Sequence, residues 1–221
     1  MGMTTDHVIP AELARVRRKP ERARYDAAAV YAVLDAAPFC HVGTVRAGRP
    51  VVLPMVHARV GDRLYLHGSP AAGLFRDTRR GSPVCVTATL LDGLVLSRAA
   101  KHHSVNFRSA AVHGDAVPVL DPDQIRAAFA ALIDHLTPGR YSELPDPDDE
   151  DIRTTAIWEV AIAEASVKTR SGPPLDDEAE WGLPVWAGEV PVRLDYGRPL
   201  ADQGMAPGAP LPGYLHSLTG G

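Results

Sequence analysis

The stretch Cys40–His67, CHVGTVRAGRPVVLPMVHARVGDRLYLH, decides the fold. Three runs of β-forming residues, Cys40–Val45, Val51–Ala58 and Leu64–His67, are separated by Arg46-Ala47-Gly48-Arg49 and by Val60-Gly61-Asp62. Glycine takes the positive φ that tight hairpins demand, so both separators read as turns and the three runs as an antiparallel meander. Connections this short cannot carry a parallel crossover, which needs about a dozen residues. An open parallel sheet is therefore disfavoured.

Downstream, Val84–Leu90 is β-branched, Leu91-Asp92-Gly93 reads as a further hairpin turn, and Leu94–Ser97 and Val105–Val119 continue as strands. Ala156–Val167 reads as one last long strand. Helices flank these runs. Asp26 is a candidate N-cap, and Val30, Val33, Leu34 and Ala37 recur at helical spacing until Pro38. Ala71–Arg80 reads as a short helix stopped by Gly81-Ser82-Pro83. Asp121-Pro122-Asp123-Gln124 opens another, with an Asp cap and proline at the first helical position. Its apolar stripe of Ile125, Phe129, Leu132, Ile133 and Leu136 ends at Pro138-Gly139. The acidic run Asp146–Asp151 lacks the spacing of a calcium loop and reads as solvated. The expected fold is mostly β (α+β): an antiparallel, closed or nearly closed barrel with peripheral helices.

Three regions follow from composition along the chain. Residues 1–24 form a basic arm, 25–194 the barrel domain, and 195–221 a Pro/Gly-rich tail that wraps the domain or is disordered. The 221 residues are 45% hydrophobic and 23% charged, with net charge -4. That balance gives no footprint for nucleic acid or an anionic membrane, and the basic arm lacks interleaved aromatics. No apolar run is long enough to span a bilayer or to serve as a signal sequence, so the expected location is cytoplasmic. Cys40 and Cys85 sit inside apolar strands and read as buried, inert thiols.

Nucleotide-binding glycine loops, zinc-protease and serine-hydrolase motifs are all missing from the sequence. Histidine is the informative residue type. His57, His67, His102, His103 and His113 all fall in the strand region, where a neutral imidazole can serve a metal, haem iron or a flavin. Polar residues also crowd Lys101–Ser109, read as a strand with donors on both faces. Lys168 and Arg170, two apart at a strand end, fall on one face and suit a phosphate or carboxylate.

Taken together, Arg49–Pro54, Gly61–Ser69, Val84–Thr87 with Leu91–Leu96, His102–Ser109, Lys168–Pro174 and Leu183–Gly188 resemble the pyridoxamine 5'-phosphate oxidase-like proteins. The likeness covers about Tyr25 to Val192. It implies a six-stranded split barrel and a homodimer with FMN in two clefts at the interface. Val52, Leu53 and Pro54 would then run along the flavin ring, and His67, Gly68 and Ser69 would lie near the ribityl phosphate. Arg108 and Ser109 would line the same cleft, with Lys168, Arg170 and Trp186 contributed from the C-terminal part. His102 and His103 are further candidate contacts to cofactor or substrate.

The family places Ser and then Arg or Lys where this chain has Ala72 and Gly73. Arg76, Arg79 and Lys168 are the cations available to replace that phosphate partner. Relatives of this barrel also bind haem or a deazaflavin, and haem would take His57, His67, His102 or His103 as its axial ligand. The resemblance thus implies an FMN-dependent oxidoreductase acting on a small molecule, with a haem protein or a non-catalytic flavin-binding dimer as alternatives.

Overall fold

The computed structural model describes residues 12–69, 81–206 and 208–218. The helix expected over 71–80, with Ala72, Gly73, Arg76 and Arg79, lies outside the described residues. In chain order the elements are β1 (Ala23–Arg24), α1 (Ala27–Ala36), β2 (Cys40–Arg46), β3 (Arg49–Met55), β4 (His57–Val60), β5 (Arg63–Gly68), β6 (Ser82–Leu96) and β7 (Ser104–Pro118). Then follow α2 (Pro122–Leu136), α3 (Asp149–Thr154), β8 (Ala156–Ala161), β9 (Glu164–Arg170), β10 (Gly188–Pro191) and α4 (Gly213–Leu218).

Among the described residues the ten strands form one antiparallel sheet whose main path runs β3-β2-β6-β7-β8-β5-β4. The meander begins as expected. Arg46 pairs with Arg49 across Ala47 (φ 49°) and Gly48 (φ 71°), the two positive-φ residues of a type I′ turn. The expected strand Val51–Ala58 is broken at Val56, however. β3 pairs with β2 at one end of the path and β4 pairs with β5 at the other. One residue thus joins the two edges of the sheet, which curls into a barrel without closing by hydrogen bonds.

Two further readings are corrected. Leu91-Asp92-Gly93 is no hairpin: β6 runs straight through, with Leu91 opposite Phe107 and Gly93 opposite Asn106, so Asp92 is the extra residue of a bulge. Glycine is needed there because a Cβ would stand 3.1 Å from the Val190 carbonyl oxygen of β10. The run Ala156–Val167 is also two strands. β7 gives its far edge to β9 over Phe107–His113 and to β8 over Ala116–Pro118. Gly114 marks the handover, where a Cβ would lie 3.2 Å from the Ala161 oxygen. These breaks, with the short strands β1 and β10, take the strand number past six.

Asp26 caps α1 by accepting from the Ala29 N–H at 2.9 Å, and the helix ends at Ala37, before Pro38. Val30, Val33 and Leu34 pack on Val42, Leu64, Val86 and Val112 in the main core. Each such side chain contributes about 1.5–3 kcal/mol when fully buried. α2 starts as its sequence demands, with Asp121 accepting from Asp123 N–H and Pro122 in the first turn. It sets Ile125, Ala128 and Leu132 against Ala58 and Ile157 in a second cluster.

Three peripheral stretches depart from solvated coil. Asp148 caps α3 through a capping box with Asp151, so the acidic run opens a helix. The basic arm, from residue 12 onward, is strapped along β9: Glu164 accepts from the Leu13 and Ala14 N–H groups, and Ser166 Oγ donates to the Ala14 oxygen at 2.6 Å. The tail returns to the end of α2, where Tyr214 donates to Glu143 at 2.7 Å and accepts from Arg140.

Candidate functional site

β3 is an edge strand with Val52 61% and Leu53 39% exposed, on opposite faces. Exposed apolar side chains on both faces of a strand whose outer backbone edge is open call for a partner. Met55, at the end of β3, reaches β5, where a Cβ on Gly68 would meet the Trp158 ring at 3.4 Å and Met55 Cε at 3.8 Å. Met55 thus brings the end of β3 against Gly68, whereas His67, one residue earlier on β5, lies on the opposite face of the strand. His67 is exposed to solvent, and its ring has no hydrogen-bond partner among the described residues. Surrounding protein partly desolvates it and holds its pKa below the ordinary imidazole value, so it is neutral at pH 7.

Strand register sets a second group on the outer face of the sheet. Val52, Gly43, Cys85, His113 and Glu164 lie in one cross-strand row; Thr89, Ser109 and Lys168 lie in another. The floor residues are small, and a cavity of about 680 Å³ opens over the first row. A neighbouring cavity of about 360 Å³ reaches Ser109 and Lys168, and the two share Leu13 and His113. Val52, Ser109 and Lys168 therefore open onto one trough between the β3 edge and the N-terminal strap. Lys168 Nζ donates to the Arg18 oxygen at 3.1 Å. Arg108 is engaged from the other side, in a two-pronged pair with Asp92 at 3.0 and 2.7 Å.

Cys85 Sγ stands 3.7 Å from His113 Nε2 in this trough. Burial raises the Cys85 pKa and pushes that of Cys40 up to about 12, so both are thiols rather than thiolates at pH 7. The pairing of Cys85 with His113 follows from strand register, which the separate sequence motifs did not reveal.

A third group lies at the far end of β6 and β7. His102 and His103 are not on a strand: His102 closes a 3-10 turn (Ala100–His102), and β7 begins at Ser104. His103 Nδ1 lies 3.1 Å from the Ala99 oxygen. His102 Nε2 faces Asp177 at 3.5 Å and Glu180 at 3.7 Å. Arg170 is buried, donating to the Asn106 side chain and to the Gly172 and Pro173 oxygens. Its charge clamps the end of β9, while Trp186, 64% exposed, stacks over Gly188. Val95, opposite Ser104, is ten strand positions from Cys85. At about 3.3 Å per residue this end is roughly 33 Å along the strand from the cavity. One copy of the chain does not gather all the expected cofactor residues into one pocket.

His57 belongs to none of these groups. It is fully buried, with Nε2 2.9 Å from the Leu34 oxygen and its ring 4.8 Å from that of His135. Among the described residues no helix is long and apolar enough to cross a membrane.

Comparison with known proteins agrees with this architecture. A flavocytochrome from Azotobacter vinelandii is 38% identical over 96% of this chain and 99% of its own, with a TM-score of 0.87. An FAD and haem binding protein from Mycobacterium smegmatis is 34% identical over 90% and 97%, with a TM-score of 0.84. No curated protein matches the chain. Residues 26–169 match the sequence profile of pyridoxamine 5'-phosphate oxidase, and with the expected motifs and the split antiparallel sheet this places the chain in the pyridoxamine 5'-phosphate oxidase family.

Proposed function

We propose that this protein is a flavin- and haem-binding oxidoreductase acting on a small molecule, with its cofactor clefts completed between two copies of the chain. The state of His67 carries the haem part. Of the four histidines weighed as axial ligands, His57 is closed in the core, His103 is tied to Ala99 and His102 is set against two carboxylates. His67 has an accessible, neutral ring with no partner among the described residues, on the face of β5 opposite Ile157, which suits a haem ligand. Both similar proteins are described as carrying such groups, one as a flavocytochrome and the other as binding FAD and haem.

The trough suits the flavin. Val52, Leu53 and Pro54 offer an open strand edge to its ring, and the small floor residues leave room for a flat group. Ser109 and Lys168 offer a donor and a cation to its phosphate. FMN is the flavin the family likeness implies. A second copy would cover the apolar side chains exposed on β3 and around Trp186, and would bring the His102–Trp186 end of one chain toward the trough of the other. Bound there, the flavin supplies hydride and single-electron transfer and the haem iron single-electron exchange. The protein's part is to hold the flavin edge, ligate iron through His67 and exclude water.

Haem titration of the full-length chain tests the assignment. Haemin gives a Soret band with the wild type and with His103→Ala, and a weak, shifted band with His67→Ala, while flavin binding is kept in all three. An unchanged Soret band in His67→Ala would overturn the ligand assignment.

A further inference from the structure

Among the described residues, one group of three potential metal ligands lies together: His102, Asp177 and Glu180, each offering an atom within 4.8 Å of the others. Within one copy of the chain none of them lines the flavin trough. Two short turns build the group. Asp177 and Glu180 cap one another's backbone across a 3-10 turn, with Asp177 N–H donating to Glu180 Oε2 at 3.0 Å. The turn that ends at His102 is anchored by its own N–H to the Ala99 oxygen at 3.1 Å. Asp176 joins the two turns, accepting from Ser97 at 2.6 Å and from Arg98 at 2.8 Å. All three side chains are thus positioned by neighbours that would not themselves touch an ion.

His102 Nε2 points to a missing occupant. The atom is shut off from solvent and has no hydrogen-bond partner, although two carboxylates face it. At 3.5 and 3.7 Å both are longer than well-formed hydrogen bonds. A buried ring nitrogen left unpaired beside two anions is unfavourable. Those separations are instead the ones expected between neighbouring ligands of a tetrahedral metal, about 3.4 Å for bonds of about 2.1 Å. Lys101 Nζ is the cation now between the carboxylates, bonded to Asp177 and 3.6 Å from Glu180. Its side chain is 61% exposed, so it can swing out without disturbing the core.

We propose that His102, Asp177 and Glu180 bind a borderline divalent cation of the Zn²⁺ class, which displaces the Lys101 ammonium into solvent. An imidazole with two carboxylates suits Zn²⁺ or Co²⁺ rather than Mg²⁺ or Ca²⁺, which prefer all-oxygen shells. Water completes the coordination on the side of Asp177, the most exposed ligand. The ion pins the stretch from Pro173 to Gly188, which carries Trp186, to the loop ahead of β7.

Co²⁺ titration of the chelator-treated, full-length protein tests this through the visible absorption of bound Co²⁺, with Zn²⁺ melting curves beside it. The wild type should take up one equivalent and melt higher with Zn²⁺ but not with Mg²⁺. Both His102→Ala and Asp177→Asn should weaken Co²⁺ binding at least tenfold, and Lys101→Met should tighten it several-fold by removing the competing cation. Asp177 is exposed, so its variant keeps the proposal testable if His102→Ala fails to fold. Wild type and Asp177→Asn titrating alike, or Lys101→Met weakening the uptake, would overturn the proposal.

Discussion

Acid should unfold this protein through His57. The imidazole is fully buried, donates one bond from Nε2 to the Leu34 oxygen, and leaves Nδ1 without a partner against the ring of His135. Burial is the dominant cause of a pKa lowered from 6.5 to about 4, and the nearby His135 pushes the same way. Because the folded value lies below the unfolded one, the unfolded chain binds this proton more tightly. The stability the neutral ring allows is complete above about pH 6.5 and is lost as pH falls toward 4. At about 1.4 kcal/mol per pKa unit the loss is limited to about 3 kcal/mol, of which about 2 kcal/mol falls between pH 7 and pH 5. Urea unfolding of the wild type and of His57→Gln across that range isolates the effect, since glutamine can still bond Leu34 but does not titrate. The wild type should lose about 2 kcal/mol more than the variant. Equal losses would refute the reasoning.

Other perturbations have equally definite outcomes. Leu34→Ala removes a fully buried side chain from the α1 face and should lower stability by about 2–5 kcal/mol in the same urea assay. Gly93→Ala sets a methyl 3.1 Å from the Val190 oxygen. It should lower stability by about 1–3 kcal/mol, the range for overpacking, and open the chain near Arg193 to limited proteolysis as β10 is pushed off β6. Val52→Lys puts a charge on the open apolar edge of β3; gel filtration should show a smaller particle than the wild type, with weaker flavin binding. An unchanged elution volume would remove β3 from the contact between copies.

Local chemistry made parts of this fold readable. The Ala47-Gly48 turn and the Asp121-Pro122 helix start are set by neighbours in sequence, and both stand where their residues require. The misread places depend on distant chain. Leu91-Asp92-Gly93 has the composition of a turn, yet its glycine serves the approach of β10 and its aspartate receives Arg108. The break at Val56 arises because β3 and β4 find partners at opposite ends of the sheet, which no local signal records. The candidate site divides in the same way. His67 is a candidate because of the motif in which it sits, whereas the meetings of Cys85 with His113 and of His102 with Asp177 and Glu180 join residues far apart in sequence.

The most direct test is the absorption spectrum of the purified full-length protein, taken before and after adding FMN, FAD and haemin in turn. The account predicts flavin bands and a Soret band together, each saturating at one equivalent per chain, with the Soret band weak and shifted in His67→Ala. A protein that takes up neither flavin nor haem would contradict it.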